Sequence, residues 1–121
     1  MNHKDLDVWK SAMLLAENVY RETIDFPKHE QFGMTSQLRR AAVSVSANIA
    51  EGSARKGNKE LIQFLHISLG SLAELETLII LSNKVGYFND EKQDNLLALV
   101  TQCSKLTYGL IKYVKNNPIN H

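Results

Sequence analysis

Proline occurs only at positions 27 and 118 of the chain. Between and before those two points, apolar residues recur at three- and four-residue steps. Proline inside a helix removes a backbone hydrogen bond and clashes with the turn before it, so long proline-free periodic stretches are free to run as helices. Four such stretches are present, and they predict an all-α fold with helices at about 7–25, 35–55, 59–85 and 91–116.

The first stretch places Trp9, Ala12, Met13, Ala16, Val19, Tyr20 and Ile24 on one face. Asp5 or Asp7 is the expected N-cap, and Phe26-Pro27 the stop, because a residue before proline avoids the α region. The second has its stripe at Leu38, Ala41, Ala42, Val45, Ile49 and Gly52, with Thr35 or Ser36 as the cap. Its many small residues predict close approach by a neighbouring helix. Lys56-Gly57-Asn58 reads as a turn, with Gly57 in the left-handed position and Asn58 capping the next helix. The third stretch would be ~40 Å long at 1.5 Å per residue. It is apolar on several sides, at Leu61, Leu65, Leu69, Leu72, Ile80 and Leu81 among others, more than one core-facing stripe requires. That excess predicts a covering partner surface. Gly86 ends this helix, Asn89 or Asp90 caps the fourth, and Pro118 closes it.

Short turns between long helices make successive helices antiparallel, which predicts an up-and-down antiparallel four-helix bundle. With 121 residues and no linker or repeat, positions 1–121 read as a single domain. If the second and third helices fold back at Lys56–Asn58, facing residues sum to about 114 in number. This register sets Arg40 near Glu74, Arg39 near Leu75 and Glu76, Asn48 near His66, and Ser44 opposite Gly70.

Several function classes lack their parts. The net charge of +1 gives no bulk argument for nucleic acid, so any such argument rests on where the charges sit. The lone Cys103 cannot form an internal disulfide, which fits a reducing compartment. On the apolar stripe it reads as a buried, inert thiol. The start of the chain has no apolar core of the secretory kind, and Leu61–Val85 is interrupted by Gln63, His66, Glu74, Glu76 and Lys84. A soluble, cytoplasmic protein without a membrane segment is the expectation. Di-iron bundles need Glu-x-x-His pairs, but Gln63 stands three residues before His66. His3, His29 and His121 are scattered, so neither a metal nor another cofactor is expected. One class of small helical ribonucleases needs an Arg closely followed by His, and Arg21 and His29 stand too far apart for that. No catalytic residues are assigned, and the chain reads as a non-enzyme.

Two groups of residues remain. Arg55, Lys56 and Lys59 crowd one end of the predicted bundle, where a positive rim could attract phosphates; the plainer reading is a solvated turn with structural ion pairs. Arg39, Arg40, Asn48, Glu51, Gly52, Glu74 and Glu76 form a second group. Here the structural reading is favoured, with the arginines pairing the acids and the amide and carboxylate satisfied across helices or between subunits.

The segment Gln37-Leu38-Arg39-Arg40-Ala41-Ala42-Val43-Ser44-Val45-Ser46-Ala47-Asn48-Ile49-Ala50-Glu51-Gly52 resembles the signature of the four-helix-bundle family encoded by intervening sequences in 23S ribosomal RNA genes. Leu6-x-Val8-Trp9, Phe32-Gly33, Phe64-Leu65, Gly70-Ser71 with Glu74-Leu75-Glu76, and Gly86-Tyr87 extend the likeness over nearly the whole chain. Ser46-Ala47 departs from it, where the pattern often has proline and serine. The resemblance implies a bacterial bundle that assembles into a ring-like homo-oligomer, typically a pentamer, without an assigned activity. It is similar in fold to the accessory protein of diversity-generating retroelements, a basic pentamer that works with a reverse transcriptase and nucleic acid. The expectation is therefore a non-enzymatic homo-oligomer that binds ribosomal RNA, DNA or a nucleoprotein partner through a basic surface. The alternative is an oligomeric scaffold that binds protein without touching nucleic acid.

Overall fold

Four long helices carry the chain: α1 (Asp7–Glu22), α2 (Met34–Ser53), α3 (Asn58–Lys84) and α4 (Asp90–Asn116). The computed structural model describes residues 1–117, and among them there is no strand. The expected stop at Pro118 lies outside the described residues. Two short 3-10 turns, His3–Asp5 and Lys28–Glu30, precede α1 and α2. Each helix packs on its neighbour in sequence, and α1 closes the bundle against α4.

The core follows the predicted stripe in α2 but turns in α1, where Leu15, outside the expected face, is fully buried while Met13, Tyr20 and Ile24 of that face are exposed. Ala12, Leu15 and Val19 of α1 meet Leu38, Ala42, Val45 and Ile49 of α2, Leu61, Leu65, Leu72, Leu75 and Ile79 of α3, and Leu96, Val100 and Cys103 of α4. The α2–α3 register follows the predicted fold-back to within a residue. The Ser44 and Ser71 hydroxyls hydrogen-bond at 2.8 Å, and Ser68 Oγ donates to the Val45 carbonyl at 3.0 Å. Ser71, not Gly70, is thus the residue facing Ser44; Gly70 is exposed, with open space where a side chain would be. Gly52 is the true close approach: a Cβ there would lie 2.8 Å from the Phe64 Cβ.

The helix ends differ from expectation at several points. α1 begins after Leu6 with no side-chain cap, so neither Asp5 nor Asp7 caps it. It stops at Glu22, where Thr23 Oγ1 returns a hydrogen bond to the Val19 carbonyl at 2.8 Å. The side-chain hydroxyl competes for the last carbonyls before Pro27 is reached. Thr35 and Ser36 already lie inside α2, and the N-terminus of that helix is served from outside by the Glu30 carboxylate, which accepts from the Met34 N–H at 3.1 Å. Asn58 is within α3 and Gly57 has an extended backbone at φ −108°, so the α2–α3 turn needs no left-handed residue. Gly86 does adopt φ +88°, and Asn89 caps α4 by accepting from the Lys92 N–H at 2.8 Å.

The surplus apolar residues of α3 go largely inward. Leu61, Leu65 and Leu72 are buried in the chain's own core, Leu69 and Ile80 are half-buried, and Leu81 alone of the six is exposed. A helix touching two neighbours buries a wider arc than a single stripe. By length and composition alone α3 could cross a membrane. In this fold its buried Ser68 and Ser71 bond across to α2.

Glu30 also accepts from the Tyr87 hydroxyl at 2.6 Å, tying the segment before α2 to the α3–α4 turn. The Tyr87 hydrogen bond, with help from the Met34 N–H, holds the Glu30 carboxyl below its ordinary pKa. A carboxylate depressed in the folded state stabilises it above the unfolded pKa, and that stability is lost as pH falls through the folded value. Glu30→Gln is therefore expected to flatten the loss of stability on acidification through the carboxylate range. Thermal unfolding across that range checks this; equally steep curves for both proteins would refute it.

Candidate nucleic-acid interface

The residues singled out from sequence separate into those that hold the bundle together and those left open. Arg39 leaves the α2–α3 interface and turns to α1. Its Nε donates to Thr23 Oγ1 at 2.9 Å, Nη2 reaches the Tyr20 carbonyl at 3.4 Å, and the guanidinium lies 4.7 Å from the Tyr20 ring centroid. It is a cation at the C-terminal end of α1, where unpaired carbonyls favour positive charge. This corrects the expected contact with Leu75 and Glu76: Arg39 projects from a different side of α2 than hairpin arithmetic can resolve. Arg39→Ala is expected to cost about 1–2 kcal/mol, from the charged hydrogen bond and the ring contact together. Arg39→Lys should recover only part of this, since an ammonium cannot bond and stack in one plane. Chemical denaturation of both variants measures it, and equal stability of all three proteins would refute it.

Arg40 and Glu74 border a common groove of about 370 Å³ with Gln37, Ala41 and Ser44. The expected ion pair is not made, and both side chains are solvated. Glu76 is likewise exposed. Water competes effectively for charges at such a surface. Asn48 turns along its own helix and donates to the Ser44 carbonyl at 2.8 Å and the Ser44 hydroxyl at 3.1 Å, not toward His66. Glu51 pairs with Arg55 at 3.4 Å.

Arg55 is the most engaged of the three predicted phosphate ligands. Besides Glu51 it lies 4.0 Å from Glu60, and its guanidinium rests 5.0 Å from the Phe64 ring centroid. Lys56 and Lys59 are exposed and make no ion pair among the described residues. The antiparallel order brings the end of α4 to the same end of the bundle, and with it Lys112 and Lys115, both exposed. Lys4, just before α1, joins them. The acids at this end are Asp5, Asp7, Glu51 and Glu60, the last two committed to Arg55. At the opposite end the termini carry Glu22, Asp25, Glu30, Asp90 and Glu91 together with Arg21, Lys28, Lys84 and Lys92, the last paired with Glu22 at 3.6 Å. The bundle thus has one lysine-rich end despite its small net charge.

An aromatic residue stands among the α4 lysines. Tyr108, 61% exposed, lines a shallow groove of about 380 Å³ with Ile111, Lys112, Lys115 and Asn116. Sequence reasoning on Arg55, Lys56 and Lys59 missed it because Tyr108 is some fifty positions away in the chain; the i, i+4 spacing of Tyr108 and Lys112 was the available signal. A second groove, of about 480 Å³, runs between α1 and α2. It is lined by Met13, Ala16, Tyr20 and Val43, with Glu17, Arg21 and Ser46.

Cys103 is fully buried, and burial pushes its thiol above the ordinary cysteine pKa, the opposite of what a nucleophile needs. Among the described residues no three His, Cys, Asp or Glu side chains converge as metal ligands.

The sequence pattern of the 23S rRNA-intervening sequence protein family matches residues 4–109. Among solved structures, a protein of unknown function from the S23 ribosomal protein family of Bacteroides thetaiotaomicron VPI-5482 superposes with a TM-score of 0.78 at 24% identity, covering 87% of this chain and 98% of that one. That likeness speaks for the fold. No curated protein matches the chain.

Proposed function

Because the chain belongs to the 23S rRNA-intervening sequence protein family, we propose that it is a non-enzymatic, cytoplasmic homo-oligomer, a ring of about five subunits by resemblance, that binds ribosomal RNA or DNA with its lysine-rich end. The observation that carries the reading is that Lys56, Lys59, Lys112 and Lys115 share one end of the bundle, with the exposed Tyr108 one turn before Lys112. Lysines without acidic partners can exchange counterions for phosphates, and an exposed aromatic ring beside them offers a stacking face for an unpaired base. Repetition around a ring multiplies the contact without requiring strong binding by one subunit. Binding to ribosomal RNA and to duplex DNA at increasing salt tests this. The expected result is affinity that falls steeply with salt; no binding to either at low salt would sink it. The apolar groove of Met13, Ala16, Tyr20 and Val43 favours the second reading, a scaffold that binds protein alone.

A further inference from the structure

We propose, resting on the nucleic-acid reading and narrowing its ligand, that one face of α4 is a track for an unpaired nucleic-acid strand, with phosphates on Lys105, Lys112 and Lys115 and a base stacked on Tyr108. These four side chains follow one another at steps of three, four and three residues, and all are exposed. At 3.6 residues per turn they fall within an arc of about 80° and span ~15 Å of helix. From Asn95 to Asn117 the chain has no Asp or Glu, and Asp94 stands about three turns before Lys105. The acids of neighbouring elements lie elsewhere. Glu51 and Glu60 are held by Arg55. Glu74 and Glu76 sit in the second half of α3, level with the first half of the antiparallel α4. Asp5 and Asp7 belong to the α1 side of α4, which is marked by the groove of Asn18, Glu22, Lys92 and Leu99. Tyr108 stands nine residues after Leu99, about half a revolution away from that groove.

The Tyr108 ring is free to receive a base. Tyr20 lies under Arg39 and Tyr87 is bonded to Glu30, whereas Tyr108, 61% exposed, has no aromatic, cationic or hydrogen-bonding partner among the described residues. With Ile111, Lys112, Lys115 and Asn116 it borders one shallow groove, so ring and lysines share a hollow. Strand form follows from what each contact can tell apart. Lysine meets phosphate in either form, and the denser charge of a duplex favours the duplex. Stacking works the other way. Bases inside a duplex are covered on both faces by their neighbours, while an unpaired base can lie on a side-chain ring. A ring set between phosphate ligands therefore selects the unpaired strand. Tyr113 is also exposed, but it stands about 140° round the helix from Tyr108, outside the lysine arc.

Fluorescence anisotropy on the full chain decides it, with oligouridylate and oligothymidylate as probes, each single-stranded and paired with its complement. Wild type is expected to bind the single strands more tightly than the duplexes; the tighter of the two single strands identifies RNA or DNA. Tyr108→Ala should weaken single-strand binding about tenfold or more, the loss typical of one stacked base, and leave duplex binding as it was. Tyr108→Phe, which keeps a ring, should bind as wild type does. Tyr113→Ala should as well. Lys105→Ala should lower the salt slope on a single strand by about 0.7. Salt-dependent binding with a duplex preference, or with equal losses on both forms for Tyr108→Ala, overturns the track and leaves the nucleic-acid reading standing. So does a Tyr113→Ala variant as weak as Tyr108→Ala. If no probe binds at low salt, both fall. Should Tyr108→Ala lose helix content, photo-crosslinking of an iodouridine-bearing single strand to wild type decides. A crosslink at Tyr108 supports the track, and crosslinks only elsewhere overturn it.

Discussion

Replacing Gly52 by alanine is expected to destabilise the bundle by about 2 kcal/mol, the middle of the range for forcing a methyl group into a filled interior. The sign is informative because the local effect runs the other way. Alanine within a helix is ordinarily about 1 kcal/mol better than glycine. At Gly52 the added Cβ would meet the Phe64 Cβ at 2.8 Å, Leu61 Cδ1 at 3.1 Å and the Leu61 carbonyl oxygen at 3.3 Å. One of these atoms is backbone and another is attached directly to it, so rotamer changes cannot clear the space and α2 and α3 must separate. Gly70→Ala supplies the contrast. Gly70 lies inside α3 with nothing within 4 Å of its virtual Cβ, and its replacement should stabilise by about 0.5–1 kcal/mol. Denaturant unfolding of the two variants should shift in opposite directions. A shift of Gly52→Ala toward greater stability would show that the interface yields more easily than its packing implies.

Simultaneous replacement of Lys56, Lys59, Lys112 and Lys115 by alanine should weaken nucleic-acid binding roughly a hundred- to a thousandfold at low salt, and reduce the salt slope by about one for each phosphate no longer neutralised. All four side chains are exposed and outside the core, so the fold should be unaffected. The weakening should be similar for all sequences, because a lysine that neutralises a phosphate carries no base information. Arg55→Ala is the internal control. Arg55 is already neutralised by Glu51 and Glu60 and packed on Phe64, so its removal should affect stability more than the salt slope. Gel-shift or anisotropy titrations at several salt concentrations measure both quantities. Undiminished binding by the fourfold variant would place the nucleic acid elsewhere on the surface.

The parts of this architecture visible in the sequence were those with a local physical cause. Apolar period and proline position identified four helices, Gly86 marked the only left-handed turn among the described residues, and Asn89 announced the α4 cap. The α2–α3 register was also legible, because a short turn between two long helices leaves little freedom: Ser44–Ser71 and Ser68–Val45 lie within a residue of the expected alignment. Side-chain partners at that interface were another matter. Register says which residues are level with one another, not which way each side chain leaves its helix. Arg39 and Arg40 are adjacent in sequence yet project about 100° apart around a helix of 3.6 residues per turn, so one reaches α1 and the other remains in solvent.

Amino-acid order alone was enough to specify helices, their ends to within a few residues, and the inward stripe of α2, since these follow from backbone sterics and the hydrophobic period; in α1 packing buried Leu15 and left Met13, Tyr20 and Ile24 exposed. Which polar residues are structural and which are free emerged only from the packed bundle. Arg39 became a C-terminal cation for α1, Glu30 a cap for a helix it does not belong to, and Arg55 a partner of two acids. The same packing turned the surplus leucines of α3 inward, brought lysines more than fifty positions apart to one end, and left Phe32 and the α1–α2 groove uncovered. The reason is physical: periodicity is a property of one helix, whereas burial, pairing and exposure are settled by the neighbours that pack against it, and those neighbours come from elsewhere in the chain.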